Sequence, residues 1–566
     1  MTFSTVFHEL AAILMIAGVI GVLALKLRQP LIIGYILTGI LVGPAVLGWA
    51  SGGSELKLLS SIGISVLLFV VGLKLDVGLI RSVGPVALAT GLGQIVFTSL
   101  FGFLLALGLG FAPVKAIYIA VCLTFSSTII IVKLLSDKRE IDSLHGRIAV
   151  GFLVVQDIAV ILAMILLTSF TADGSGGIAA QGIRLLLVGT AFVLGTAAMM
   201  RWVMPPLLGR LAQNQELLVL FAVAWAVGLA ALADGVNFSK EVGAFLGGVS
   251  IASTAYREAI ASRLTGLRDF LLLFFFIDLG SGLNLTAAGI QLWPALVLSL
   301  FVLVGNPLIV VAIMGAMGYR RRTGFLAGLT VAQISEFSLI LAALGLRLGQ
   351  IGEAEVSLIT LVGVITIALS TYMILGSDHL YGLLQGPLRV FQRTTPFSEL
   401  KDSISGPARV DVVLLGLGRY GSSIYRQLRP HNLSILGIDF DPPALRLAAA
   451  HGLPVQYGDS EDPEFTSSLP LSSATVVVST LPSLESNAAI RHGLETAGFQ
   501  GHFIATAHDE GEVVKLESIG AQRTLLPFLD AAERAAELIV EDLMMLQRAQ
   551  PAKAAPSSDF LETANS

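Results

Sequence analysis

The sequence predicts a polytopic α-helical membrane protein with a Rossmann-like α/β domain behind it, for three reasons. Of its 566 residues, 54% are hydrophobic and 13% charged, where soluble domains carry roughly 25% charged. The apolar residues fall in long runs within the first 380 positions, while 408–545 have an ordinary soluble composition. A glycine-rich turn then sits between an apolar strand pattern and an amphipathic helix. The expected domains are 1–380 in the membrane, a linker over 381–407, an α/β domain over 408–545 and a disordered tail over 546–566. No basic surface pattern points to nucleic acid, and the single Cys122 excludes a disulfide framework.

Thirteen apolar segments can be drawn, at 5–25, 30–48, 57–75, 83–110, 114–135, 146–169, 183–204, 215–233, 238–254, 267–284, 291–318, 323–346 and 355–376. Loops after odd segments hold most of the basic residues, among them Arg28, Lys138, Arg139 and Arg320–Arg322. Loops after even segments hold only Lys57, Lys115, Arg184, Lys240 and Arg347. This bias puts the N-terminus outside and the C-terminal domain in the cytoplasm. An odd count suits two inverted six-helix repeats flanking one linking helix, segment seven.

Polar residues interrupt three of these segments. Gln156 and Asp157 stand in GFLVVQDIAVILAMILL, close to the expected bilayer midplane. A carboxylate there is costly unless hydrated, paired or protonated, which makes it an ion or proton site before it is a structural pin. Segment five holds Thr124, Ser126, Ser127 and Thr128, and its repeat mate, segment twelve, holds Gln333, Ser335 and Glu336. Matching interruptions point to crossed broken helices. Hydroxyls bonded back to their own helix are the plainer alternative.

In the soluble part, strand 410–415 runs into Gly416, Gly418, Arg419 and Gly421, and strand 433–438 ends at Asp439. The glycines permit a tight turn and close backbone approach, the helix N-terminus faces phosphate, and the acid can bond ribose hydroxyls. Strand 455–457 with Asp459, strand 474–479, a helix near 486–497 and strand 502–506 continue a doubly wound domain. Asp441 reads as a turn residue before Pro442 and Pro443.

Nearly the whole chain resembles the second monovalent cation:proton antiporter family, and within it the Kef-type potassium efflux antiporters. The matching residues are Gln29, Pro30, Gly34, Gly39, Gly43 and Pro44; Leu67, Phe69 and Gly72; Ser126–Thr128; and Gln156-Asp157. Gly243, Phe245 and Gly248, Phe274 with Gly280, and Gln333 with Glu336-Phe337 extend the match. The soluble part resembles the KTN or RCK domain of potassium transport systems. The resemblance implies a homodimer in the inner membrane that exchanges a monovalent cation for protons at Asp157. The cation is potassium by resemblance, and sodium is the alternative on the same scaffold. Gln156, Ser126, Ser127 and Thr128 would supply further oxygens, which suit hard cations. The domain would bind a nucleotide such as NAD(H) or AMP/ATP at Gly416, Gly418, Arg419, Gly421, Asp439 and Asp459. An ancillary regulatory subunit is a further implied partner.

The sequence departs from that pattern in three places. Asn306 stands where many members carry a lysine facing the acid. It faces the acid or merely caps the helix before Pro307. Asp278 stands where a small or apolar residue is usual, as a second coupling acid or a helix-end residue. The loop 256–263 lacks the acidic regulatory motif, which argues against glutathione gating. A ligand-gated potassium channel is the rival from another class, but no TVGYG-like filter is present. Nothing suggests hydride chemistry, so no enzymatic activity is expected.

Overall fold

The computed structural model describes residues 6–44, 46–49, 54–74, 85–138, 140–141, 143–169, 195, 198–212, 214–235, 239–283, 291–391, 410–481 and 483–549. The chain forms two units, Met1–Pro396 and Phe397–Ser566. Among the described residues eight helices are long and apolar enough to cross a membrane, and Leu31–Val42 is a shorter apolar one. Most of the expected seventh segment lies outside the described residues.

The first unit packs as two groups of helices. One comprises α1 (Val6–Lys26), α2 (Leu31–Val42), α3 (Ser54–Lys74), α8 (Met204–Leu211), α9 (Gln215–Gly235), α10 (Lys240–Ala252) and α11 (Arg257–Ser281). The second comprises α4 (Pro85–Gly108), α5 (Pro113–Thr124), α6 (Thr128–Asp137), α7 (Leu144–Ser169), α12 (Leu292–Leu300), α13 (Asn306–Ala316), α14 (Arg321–Leu329), α15 (Glu336–Arg347) and α16 (Glu353–Leu375). Small residues set how closely the first group packs. A methyl added at Gly39 of α2 would run into the Ile277 carbonyl of α11.

The two expected helix breaks are present. α5 stops at Phe125, which is extended (φ −95°, ψ 137°), and Ser127 caps α6 by accepting from the Ile130 N–H at 3.3 Å. Ser335 caps α15 in the same way, accepting from the Phe337 N–H at 3.1 Å. A cap hydroxyl satisfies a backbone donor that the first helical turn leaves open. Between α12 and α13 the chain widens into a π turn, Phe301–Gly305, just before Pro307. Proline brings no N–H and crowds the carbonyl four residues back, so the ladder opens there.

Two elements differ from the sequence reading. α11 begins at Arg257, ten residues before the expected segment at 267, because Ile260 and Leu264 are buried in the first group's core. The start of the expected linker is helical instead: α17 (Ser377–Leu388) and a 3-10 turn, Arg389–Phe391, continue the first unit. α17 is held by Arg322 to Asp378 at 3.2 Å and by Arg321 to the Gln385 carbonyl at 2.9 Å.

The second unit is a six-stranded parallel sheet in the order β3-β2-β1-β4-β5-β6. The strands are β1 (Val412–Leu415), β2 (Ile435–Asp439), β3 (Val455–Tyr457), β4 (Val476–Ser479), β5 (His502–Thr506) and β6 (Arg523–Leu525). β1 is buried throughout, as a central parallel strand with helices on both faces must be. The connecting helices include α18 (Arg419–Leu428) after β1, α19 (Pro442–Ala450) after β2, α20 (Pro463–Thr466) after β3 and α21 (Leu484–Thr496) after β4. β6 was not anticipated, and a long helix follows it over Pro527–Ala549. That helix takes in the first residues of the expected tail; 550–566 lie outside the described residues.

Candidate functional site

The breaks of segments five and twelve meet. The Ser335 N–H donates to the Phe125 carbonyl at 2.8 Å, so main chain joins main chain at the crossing. α6 and α15 start there, with Thr128 and Glu336 as their first residues. Two helix N-termini thus supply partial positive charge in the unit's interior. Asp157, near the middle of α7, accepts from the Thr128 hydroxyl at 3.0 Å through Oδ2. Glu336 and Lys74 both lie within electrostatic reach of it.

Gln156, next to Asp157, is committed to the break. Its Oε1 accepts from the Ser126 N–H at 2.9 Å, and its Nε2 donates to Gln94 Oε1 at 2.7 Å. Gln94 Nε2 donates to the Thr124 carbonyl and to Thr98 Oγ1, both at 3.0 Å. The Thr98 hydroxyl donates to Asn306 Oδ1 at 3.1 Å. Asn306 Nδ2 donates to the Leu123 carbonyl at 3.1 Å and faces the Val331 carbonyl at 3.5 Å. One chain of amides and hydroxyls therefore runs from Ser126 to both interrupted helices. Asn306 acts as a staple between the breaks, and among the described residues its hydrogen bonds go to Thr98 and main-chain carbonyls and not to Asp157.

Among the described residues, three polar atoms at the crossing are buried without a hydrogen-bond partner: Ser126 Oγ, Gln333 Nε2 and Glu336 Oε1. Such atoms cost free energy, which a bound ion, proton or water would recover. Asp278 is elsewhere, at the end of α11 within electrostatic reach of Lys57. Gln94 and Thr98 were missed by the sequence reading. An amide alone in the apolar run 85–108 was the available signal.

In the sheet unit, Gly416 takes φ +88°, a left-handed turn that favours glycine. A methyl at Gly421 would collide with the Gly416 carbonyl. Asp439 binds this loop from β2: Oδ2 accepts from the Leu417 N–H at 2.6 Å, and Oδ1 from the Asp441 N–H at 2.8 Å. Burial raises the Asp439 pKa from its ordinary value, against the lowering effect of those N–H donors. Gly418 and Arg419 are exposed at the start of α18, and a Cβ at Gly418 would meet nothing within 4 Å among the described residues. The loop lies between β1 and β4, where the strand order reverses and open α/β sheets place ligands. Asp459 lies buried beyond β3 and accepts from the Glu461 N–H at 3.0 Å, so it shapes its own turn.

A profile of the "Sodium/hydrogen exchanger, transmembrane" family matches residues 11–375, and one of the TrkA-N domain matches residues 412–527. The iron transporter MagA of Paramagnetospirillum magneticum is 32% identical over 64% of this chain and 83% of its own length. YbaL of Escherichia coli is 25% identical over 93% of this chain and 96% of its own. K(+) efflux antiporter 5 of Arabidopsis thaliana is 30% identical over 59% of this chain and 60% of its own. The chain belongs to the sodium/hydrogen exchanger family of integral membrane cation/proton antiporters, in the Kef-type arrangement with a C-terminal TrkA-N domain.

Proposed function

We propose that this protein exchanges potassium for protons at Asp157 and that a nucleotide on the TrkA-N domain regulates the exchange. The observation that carries the reading is the Thr128–Asp157 hydrogen bond at the start of a half-helix. A carboxylate in that position holds either a proton or a cation, and the competition by itself couples opposite fluxes. The oxygens offered are those of Asp157 and Thr128, with the free Glu336 Oε1 nearby. Oxygen donors suit a hard monovalent cation. Potassium is favoured by the likeness to potassium efflux antiporters, and sodium exchange on the same scaffold is the second reading, favoured by the family itself. With Asp157 as the coupling acid, exchange is one for one and electroneutral.

The exposed Gly418 and Arg419 at the start of α18 support a phosphate group, and the place of Asp439 at the end of β2 beside the same loop supports a ribose. NAD(H) and AMP/ATP fit that chemistry equally. The domain acts as a sensor in this reading, and the chain catalyses no reaction on the nucleotide. The basic loops support an inner-membrane protein with its N-terminus outside and the TrkA-N domain in the cytoplasm. A homodimer, with or without an ancillary subunit, completes the proposal. Purified full-length protein in a calorimeter with NADH, NAD, AMP or ATP tests the regulatory half. Binding that vanishes in Gly418→Asp supports it, and no heat with any of the four would sink it.

A further inference from the structure

A cavity of about 540 Å³ opens between the two helix groups. Arg28, Gln29 and Tyr35 line it from the α1–α2 side and Asp269 from α11, facing Lys133 of α6 and Glu336 of α15. Beside the cavity, only neutral hydrogen bonds are recorded between the groups among the described residues. The Tyr372 hydroxyl donates to the Leu27 carbonyl at 3.0 Å, and Gln29 Nε2 to the Ala368 carbonyl at 3.3 Å.

The far end of α15 is held differently. Arg347, its last residue, forms an ion pair with Glu241 in the first turn of α10, across the boundary between the groups. Glu241 is only 4% exposed, and its other oxygen accepts from the Ser239 hydroxyl at 2.7 Å. A carboxylate so buried is strongly destabilised when it loses its cation, so parting the two groups at this end is costly while the pair holds. α15 begins at Glu336 on the cavity and ends at Arg347, about 16 Å away by helical rise. One rigid half-helix therefore connects the cavity to the closed end.

We propose that Glu241 and Arg347 form a latch that holds the transporter open toward the Arg28–Lys133 end, and that its release accompanies opening of the opposite end. The proposal rests on the transport reading above in assuming that the two ends open alternately. The latch determines which side Asp157 faces, without touching the transported ion. Glu241 and Arg347 are positioning residues.

The test is the rate at which a membrane-impermeant maleimide labels Leu31→Cys, placed beside the cavity in a full-length Cys122→Ser background. Glu241→Gln and Arg347→Gln each slow labelling by roughly threefold or more, because the cavity is closed for more of the time. The exchanged pair, Glu241→Arg with Arg347→Glu, restores labelling to within about twofold of the background. Unchanged labelling in both single variants, with unchanged size-exclusion profiles, overturns the latch. If neither single variant folds, Ser239→Ala carries the test: slower labelling supports the latch and equal labelling overturns it. Labelling needs no ion flux, so its failure leaves Asp157 standing as the coupling acid. Exchange that survives Asp157→Asn would equally leave the latch standing.

Discussion

The Ser335 N–H and the Phe125 carbonyl, 2.8 Å apart, tie the two interrupted helices together through main chain alone. The crossing is thus fixed before any side chain is considered. Side chains then satisfy the backbone groups that the breaks expose, and Asp157 is set beside this frame by Thr128.

Asn306 carries much of that work, so Asn306→Leu should be costly. It removes the donor to the Leu123 carbonyl and the acceptor for Thr98. A buried polar group left without a partner costs about 1–3 kcal/mol. Thermal unfolding of the detergent-solubilised protein should move several degrees lower. An unchanged midpoint would mean that water replaces the amide without loss.

Gln94→Leu should impair exchange as well as stability. Gln94 is the group that receives Gln156 Nε2, and Gln156 in turn holds Ser126 ahead of α6. Loosening that chain displaces Thr128 from Asp157, and a loss of about 1.4 kcal/mol is a tenfold slower rate. Maximal exchange should fall roughly tenfold with a modest change in apparent cation affinity. Wild-type rates in the variant would show that Gln156 is positioned by α7 alone.

Gly421→Ala should disable the TrkA-N domain selectively. Its methyl group meets the Gly416 carbonyl, within a turn already constrained by the +88° φ of Gly416. Nucleotide binding should disappear while basal exchange by the membrane unit survives. Titration calorimetry and proteoliposome flux on one preparation separate the two effects.

Glu140, in the loop before α7, gives a pH signature. Burial pushes its pKa up, but hydrogen bonds and charge from His145 and Lys138 outweigh this and hold it at about 2. A carboxyl depressed on folding stabilises above its unfolded pKa and loses that contribution as pH falls toward its folded one. The stability advantage of wild type over Glu140→Gln should therefore shrink as pH drops from about 4.5 toward 2. Melting curves of both proteins between roughly pH 6 and pH 3 check this. A gap that widens on acidification would contradict the ion-pair assignment.

Much of the site was legible because its residues break the local pattern. Asp157 stands out in an apolar run, Ser127 and Ser335 are helix caps in segments that should be continuous, and Gly416–Gly421 follow a strand. The polar chain through Gln94, Thr98 and Asn306 was not legible as a chain. Its links join residues as far apart as 98 and 306, which no local period encodes. Gln156 was expected to offer its carbonyl to an ion; the N–H of Ser126, thirty residues away, also donates to that oxygen, a partner no local pattern shows. The helix at Ser377–Leu388 was missed because Gly382, Gly386 and Pro387 suggest a linker. Pairing of Asp378 with Arg322, invisible in one dimension, offsets that local preference.

Proton movement in proteoliposomes on adding potassium or sodium, wild type against Asp157→Asn, tests the central claim most directly. The account predicts that potassium drives proton efflux independently of a clamped membrane potential, and that Asp157→Asn abolishes it. Proton exchange that persists in Asp157→Asn, or potassium flux with no proton movement, would contradict it.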